Sequence, residues 1–251
     1  MVLVLNKVGL AESDGVMVDV SLIIPTYNER ENIDALVDGV CRALDPRVWE
    51  IVFVDDDSPD GTAQKIRERA SGDPRVRLLH RVGRRGLASA CIEGVLAASS
   101  DNLVIMDADR QHDEALLPKM LALLQGQGLD VVIGSRYVLG GSVGVLAPSR
   151  ILLSKIGAVV TRIFSGIPVH DPLSGYFAFK RGFFNKTVAH LHAQGFKILL
   201  DMLLASRGQV RFQELPYTFR PRCGGKTKLS VQVVADYVRF MLVRVFLKQA
   251  V

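Results

Sequence analysis

The chain has 251 residues, 49% of them apolar and 23% charged, enough for one sizeable buried core. Its three cysteines, Cys41, Cys91 and Cys223, form no C-x-x-C pair, which excludes a disulfide scaffold or zinc knuckle and fits a reducing, cytoplasmic compartment. The net charge of +5 is unevenly divided: residues 1–135 carry 14 Lys+Arg against 22 Asp+Glu, while residues 136–251 carry 17 against 4, so the first half suits metal ions and the second suits phosphates or an anionic membrane surface.

Residues 1–19 read as an N-terminal extension. Their apolar run breaks at Asn6 and Lys7 and no basic segment precedes it, so a signal peptide is not expected. No stretch reaches the roughly 18 uninterrupted apolar residues of a membrane span. Strands are predicted at Val20–Ile24, Glu50–Val54, Val76–Leu79, Asn102–Met106 and Asp130–Gly134. Between the first two, Ile33, Leu36, Val37, Val40, Cys41 and Leu44 recur at helical spacing, with Asn28 and Glu31 placed like a capping box. Thr62–Ala70 and Leu117–Gln125 are further helices, the second with Pro118 near its start. This alternation implies an α/β fold with a mostly parallel sheet covered on both faces, whose ligands sit at the carboxyl ends of the strands.

Past Gly134 the pattern changes. A loop with Gly140, Gly141, Gly144 and Pro148 leads into an apolar helix, Arg150–Phe164. Gly175–Phe179 and Val210–Phe219 can return to the sheet, and a basic loop, Arg220–Lys228, precedes the apolar run Val231–Leu247. Arg239, Arg244 and Lys248 punctuate that run, which suits equally a helix in a membrane interface or one packed on the core. The expected division is the extension 1–19, one domain over 20–230, and an amphipathic helix over 231–251.

Acidic groups fall at three predicted strand ends: Pro25-Thr26-Tyr27-Asn28-Glu29, Asp55-Asp56-Asp57-Ser58-Pro59-Asp60, and Asp107-Ala108-Asp109 with Gln111. If the last is extended, Asp107 and Asp109 point to one side and can face one hard cation, whose remaining ligands a diphosphate can supply. A lone D-x-D is a weak signal, more often a turn or cap. Without further context Tyr27 reads as packing and Asp55–Asp57 as a turn.

The ordered set VSLIIPTYNERENI, VDDDSPDGT, MDADRQHD, GSRY and DPLSGYFAFKR supplies that context: it resembles the dolichol- and polyprenol-phosphate mannose synthases, family 2 glycosyltransferases with a Rossmann-like GT-A fold. The resemblance runs from about Val20 to Leu229. It implies inverting, metal-dependent (Mg2+ or Mn2+) transfer of mannose from GDP-mannose to a polyprenyl phosphate, by a peripheral protein on the cytoplasmic face of a membrane. It assigns Pro25, Tyr27, Glu29, Val54 and Asp56 to the nucleotide, Asp107, Ala108, Asp109 and Gln111 to metal and diphosphate, and Arg136 to the phosphates. Arg150 and Ser154 match the acceptor-phosphate site; Arg136, Arg150, Ser154 and Asp109 are thus the residues expected to serve the transfer. Arg222 and Lys228 match cations of a loop that closes over the donor.

Asp171 matches a family acidic position and could orient, act as a base or serve structure; His112 and His170 read as structural. Ala88, in Gly86-Leu87-Ala88-Ser89-Ala90, stands where the family often has glycine, and Asp57 where several relatives do. Arg81, Arg84 and Arg85 could touch phosphate but read more simply as surface charge. The UDP-glucose-dependent polyprenyl-phosphate branch shares most of these motifs and is the alternative. A dinucleotide-binding dehydrogenase needs G-x-G-x-x-G where this chain has P-T-Y-N-E. Nucleic acid is not an expected partner, because the strand-end carboxylates would repel its backbone. Whether a membrane-protein partner exists is left open.

Overall fold

The computed structural model describes residues 17–144, 158, 159, 162, 166–192 and 198–221. Seven strands form one sheet: β1 (Val20–Thr26), β2 (Trp49–Asp55), β3 (Val76–His80), β4 (Asn102–Ile105), β5 (Val131–Ser135), β6 (Phe177–Lys180) and β7 (Phe212–Pro216). Their spatial order is β3-β2-β1-β4-β6-β5-β7, and only β6 runs antiparallel to its neighbours. All five predicted strands form within a residue or two of their expected limits, and the two segments after Gly134 supply β6 and β7.

The inner strands are buried on both sides, while the edge strands β3 and β7 are only partly buried, and alternate residues feed two cores. Val20, Leu22 and Ile24 of β1, with Ile51 and Phe53 of β2, face α1 (Ile33–Leu44), α2 (Thr62–Gly72) and α4 (Leu117–Gly126). Ile23, Val52 and Val54 face α3 (Leu87–Ala97), in one cluster with residues of α5 (Arg181–Thr187) and α6 (Ile198–Ala205). Pro118 occupies the first turn of α4, where a missing N–H costs nothing. Gly94 lets α3 lie close to the sheet: a Cβ there would stand 2.5 Å from Ile23 Cγ2 and 2.8 Å from Val54 Cγ2. The carbonyls ending α3 are closed by Arg181, which donates to Val95, Ala98 and Ser100.

One local expectation fails. Asn28 does not cap α1: it adopts φ +59° and donates its N–H to Ser58 Oγ, while a 3-10 turn (Arg30–Asn32) precedes the helix. The tertiary partner across the β2–α2 loop outweighs the local capping pattern. Of the apolar helix expected at Arg150–Phe164, only residues 158, 159 and 162 lie within the described set, and Val231–Leu247 lies wholly outside it. Among the described residues no helix is long and apolar enough to cross a membrane.

Candidate active site

The strand order reverses between β1 and β4: the chain winds outward from β1 to β2 and β3, then crosses back to β4 on the other side. Pairing of β1 with β4 stops at Ile23–Ile105, whereas pairing with β2 continues to Thr26–Asp55. Pro25 therefore lies beyond the β4 ladder, where its missing N–H leaves no gap in the pairing. The ends of β1 and β4 consequently diverge into the crevice typical of a topological switch point. The three acidic strand ends border this edge of the sheet.

All three carry a non-glycine residue in the left-handed region: Asn28 (φ +59°), Asp57 (+57°) and Arg110 (+61°); among the described residues only Arg207 joins them. Such residues persist where surrounding contacts over-determine the backbone, and they cluster at binding sites.

Around β2 the carboxylates divide their work. Asp55 is fully buried and accepts from Thr26 Oγ1 (3.1 Å), Ser58 N (2.9 Å) and Ser58 Oγ (2.6 Å), tying the β1 and β2 loops together. Asp56 accepts from Gly86 N (2.7 Å) and from the Arg81 guanidinium. Arg81 is buried, also donating to Gly86 O and Ser89 Oγ, so it is not the surface charge its polar neighbours suggested. Its place directly after β3 was the signal for a site role. Asp57 accepts from Gly83 N (3.1 Å) and lies 3.1 Å from His80 Nε2, contacts that hold its carboxyl below the usual range. A glycine here would keep the backbone turn but lose the anchor of the β3–α3 loop. From that loop Arg85 places its guanidinium 4.4 Å above the half-buried Tyr27 ring, a cation–π contact. Glu29 accepts from Asn32 Nδ2 and donates its N–H to Thr62 Oγ1. Val54 and Pro25 are buried partners across the sheet.

Beyond β4, Asp107 and Asp109 flank a turn rather than lie in an extended segment, so the same-side argument of a strand pleat does not apply to them. The Asp107 side chain is 40% exposed and accepts from His112, while Asp109 is buried and accepts from Gln111 N (3.1 Å). Gly175 makes room: a Cβ there would stand 2.7 Å from Asp107 Oδ2. Gln111 Nε2 donates to Arg220 O, and Arg220 N to Gln111 O. Among the described residues no three His, Cys, Asp or Glu side chains are grouped to hold a metal. A partly exposed Asp107 carboxylate two residues from Asp109 still fits Mg2+ or Mn2+, because Mg2+ commonly takes one or two carboxylates and completes its shell with water and substrate phosphate. Ala108, between them, is buried.

Arg136 follows β5 and is paired, contrary to the scarcity of acidic partners in the second half. Its Nε, Nη2 and backbone N all donate to Asp171, at 2.8, 2.8 and 3.0 Å. Burial pushes the guanidinium pKa down, but the Asp171 carboxylate outweighs it and holds it above its ordinary value. Asp171 N and His170 N in turn donate to Glu214 of β7. Both Asp171 oxygens are thereby committed to Arg136, and of its three open roles orientation is the one its contacts describe. Arg150, Ser154, Arg222 and Lys228 lie outside the described residues.

Comparison with known proteins places the chain in a family. Residues 21–188 match the glycosyl transferase family 2 profile. A dolichol-phosphate mannosyltransferase of Pyrococcus furiosus is 41% identical over 224 residues, 88% of this chain. The chain spans 62% of that relative's length. A polyprenol monophosphomannose synthase of Mycolicibacterium smegmatis is 38% identical over 215 residues, 83% of this chain and 80% of the relative. Glucosyl-3-phosphoglycerate synthase of Mycobacterium tuberculosis, solved with phosphoglyceric acid, superposes with a TM-score of 0.66 at 25% identity, covering 90% of this chain and 79% of that one. The chain belongs to glycosyl transferase family 2 and has the GT-A fold.

Proposed function

We propose that this chain transfers mannose from GDP-mannose to a polyprenyl phosphate at a membrane surface, with inversion and with Mg2+ or Mn2+ at Asp107, Asp109 and Gln111. The observation that carries the reading is the Asp107–Asp109 turn at the β1/β4 crevice, in a chain whose relatives at 38–41% identity are named dolichol-phosphate mannosyltransferase and polyprenol monophosphomannose synthase. Pro25, Tyr27, Glu29, Val54 and Asp56 border one side of the crevice and would take the nucleotide.

The acceptor's second phosphate pKa lies near 6, so at neutral pH its oxygen is already mostly ionised and needs no general base. That oxygen attacks the anomeric carbon as the bond from carbon to the diphosphate breaks, releasing GDP. No proton moves, which agrees with Asp171 being spent on Arg136. Arg136, locked by Asp171, offers a fixed cation for phosphate; Arg150 and Ser154 would hold the acceptor phosphate, and Arg222 and Lys228 would cover the donor. The metal, when bound, would offset the charge developing on the departing diphosphate.

The test is transfer to a short-chain polyprenyl phosphate from GDP-mannose or UDP-glucose, with and without added Mg2+ or Mn2+. Metal-dependent transfer from GDP-mannose is expected, falling by about 100-fold or more in Asp109→Ala. Transfer from UDP-glucose alone would overturn the donor assignment, and transfer from neither would overturn the acceptor.

A further inference from the structure

His112 lies behind the Asp107–Asp109 turn and is 2% exposed. Its ring stacks on Tyr176, with centroids 5.0 Å apart and planes at 28°. An imidazole this buried costs free energy unless its nitrogens are paired, and both are. Nδ1 is 3.0 Å from Tyr217 Oη, and Nε2 is 3.3 Å from Asp107 Oδ2.

These contacts decide the tautomer. A carboxylate can only accept, so Nε2 carries a proton; in the neutral imidazole Nδ1 is then an acceptor, to which the Tyr217 hydroxyl donates. Burial pushes the Tyr217 phenol well above its ordinary value, so it keeps that proton at neutral pH. Gly175 bounds the Asp107 carboxylate from another side. A phenylalanine could fill the ring's volume against Tyr176, but it would leave both Asp107 and Tyr217 without a partner.

We propose that His112, held in place by Tyr217, is a positioning residue that aims the Asp107 carboxylate at a divalent cation. The proposal rests on the metal assignment above. It also gives the chain a direct link from the segment after β7 to the metal turn, which the Gln111–Arg220 bonds reinforce. Groups that orient metal ligands in this way typically change metal affinity by about 10–100-fold when removed.

The experiment is Mn2+ binding in the presence of GDP, read from the electron paramagnetic resonance of free Mn2+, for the parent, His112→Ala, His112→Gln and Tyr217→Phe. His112→Ala is expected to weaken Mn2+ binding by about 10–100-fold while metal-free GDP affinity stays at the parent value. His112→Gln, whose carboxamide can still donate to Asp107, should recover most of that loss, and Tyr217→Phe should fall between them. If His112→Ala does not fold, the other two variants decide the matter. Parent-like Mn2+ affinity in Tyr217→Phe and His112→Ala, or a glutamine no better than alanine, would overturn the proposal. A parent chain that binds no Mn2+ with either GDP or UDP would overturn the metal assignment itself.

Discussion

Asp171→Asn separates a carboxylate that holds an arginine from one that removes a proton. The substitution keeps the shape but replaces an acceptor oxygen with an N–H donor facing the donors of Arg136. Asp171 is fully buried and the Arg136 side chain is 14% exposed, so solvent cannot take over the lost interaction. Removing one partner of a buried ion pair costs about 3–5 kcal/mol, which for a domain of this size lowers Tm by about 6–20 °C. Thermal unfolding followed by circular dichroism measures the shift, and transfer assayed well below the variant's Tm measures the chemistry. Replacing both partners, as Arg136→Met with Asp171→Leu, should cost less than the sum of the single changes, because neither charge is stranded. An unchanged Tm with abolished transfer in Asp171→Asn would refute the pairing role and return Asp171 to candidacy as a base.

Two further outcomes follow from helix packing and from a buried carboxylate. Gly94→Ala improves helix propensity by about 1 kcal/mol but forces a methyl against Ile23 and Val54, where overpacking costs about 1–3 kcal/mol; Tm should fall by a few degrees, and a rise would show that α3 can move outward at little cost. Glu50 accepts from Ser21, Ser99 and Arg77 at the opposite end of the sheet; burial pushes its carboxyl up, but these bonds outweigh it and hold the pKa below 4.5. A depressed folded-state pKa contributes stability that is present in full above the unfolded value and lost as pH falls through the folded one. Glu50→Gln should therefore destabilise by about 1–3 kcal/mol in urea unfolding at pH 7, and the difference should shrink below about pH 4.5. An equal difference at about pH 3.5 would contradict this.

Much of the scaffold was legible because it is written in local periodicity. The β-branched runs of β1–β5, the helical spacing of Ile33–Leu44 and Pro118 at the start of α4 are each patterns of a few neighbouring residues, and period and backbone geometry coincide there. The acidic strand ends were legible for a related reason: in a parallel sheet every such end lies on one edge, whatever the strand order. The order itself was not. That β6 inserts antiparallel between β4 and β5 depends on which apolar faces pack best between residues as far apart as Asn102 and Lys180, and no local pattern encodes it.

The site divides the same way. The sequence alone determined which residue types follow the strands: the D-x-D after β4, the aspartates after β2 and the arginine after β5. Only the tertiary structure decided how they are used. It buried Arg81 against Asp56, committed Asp171 to Arg136 across 35 positions, gave Asp57 a loop to anchor, put Asp107 and Asp109 in a turn rather than a pleat, and set His112 between Asp107 and Tyr217. The physical reason is that a buried charge or imidazole must find partners, and those partners come from whichever segments the fold brings alongside. Sequence spacing records the groups; burial and pairing assign their roles.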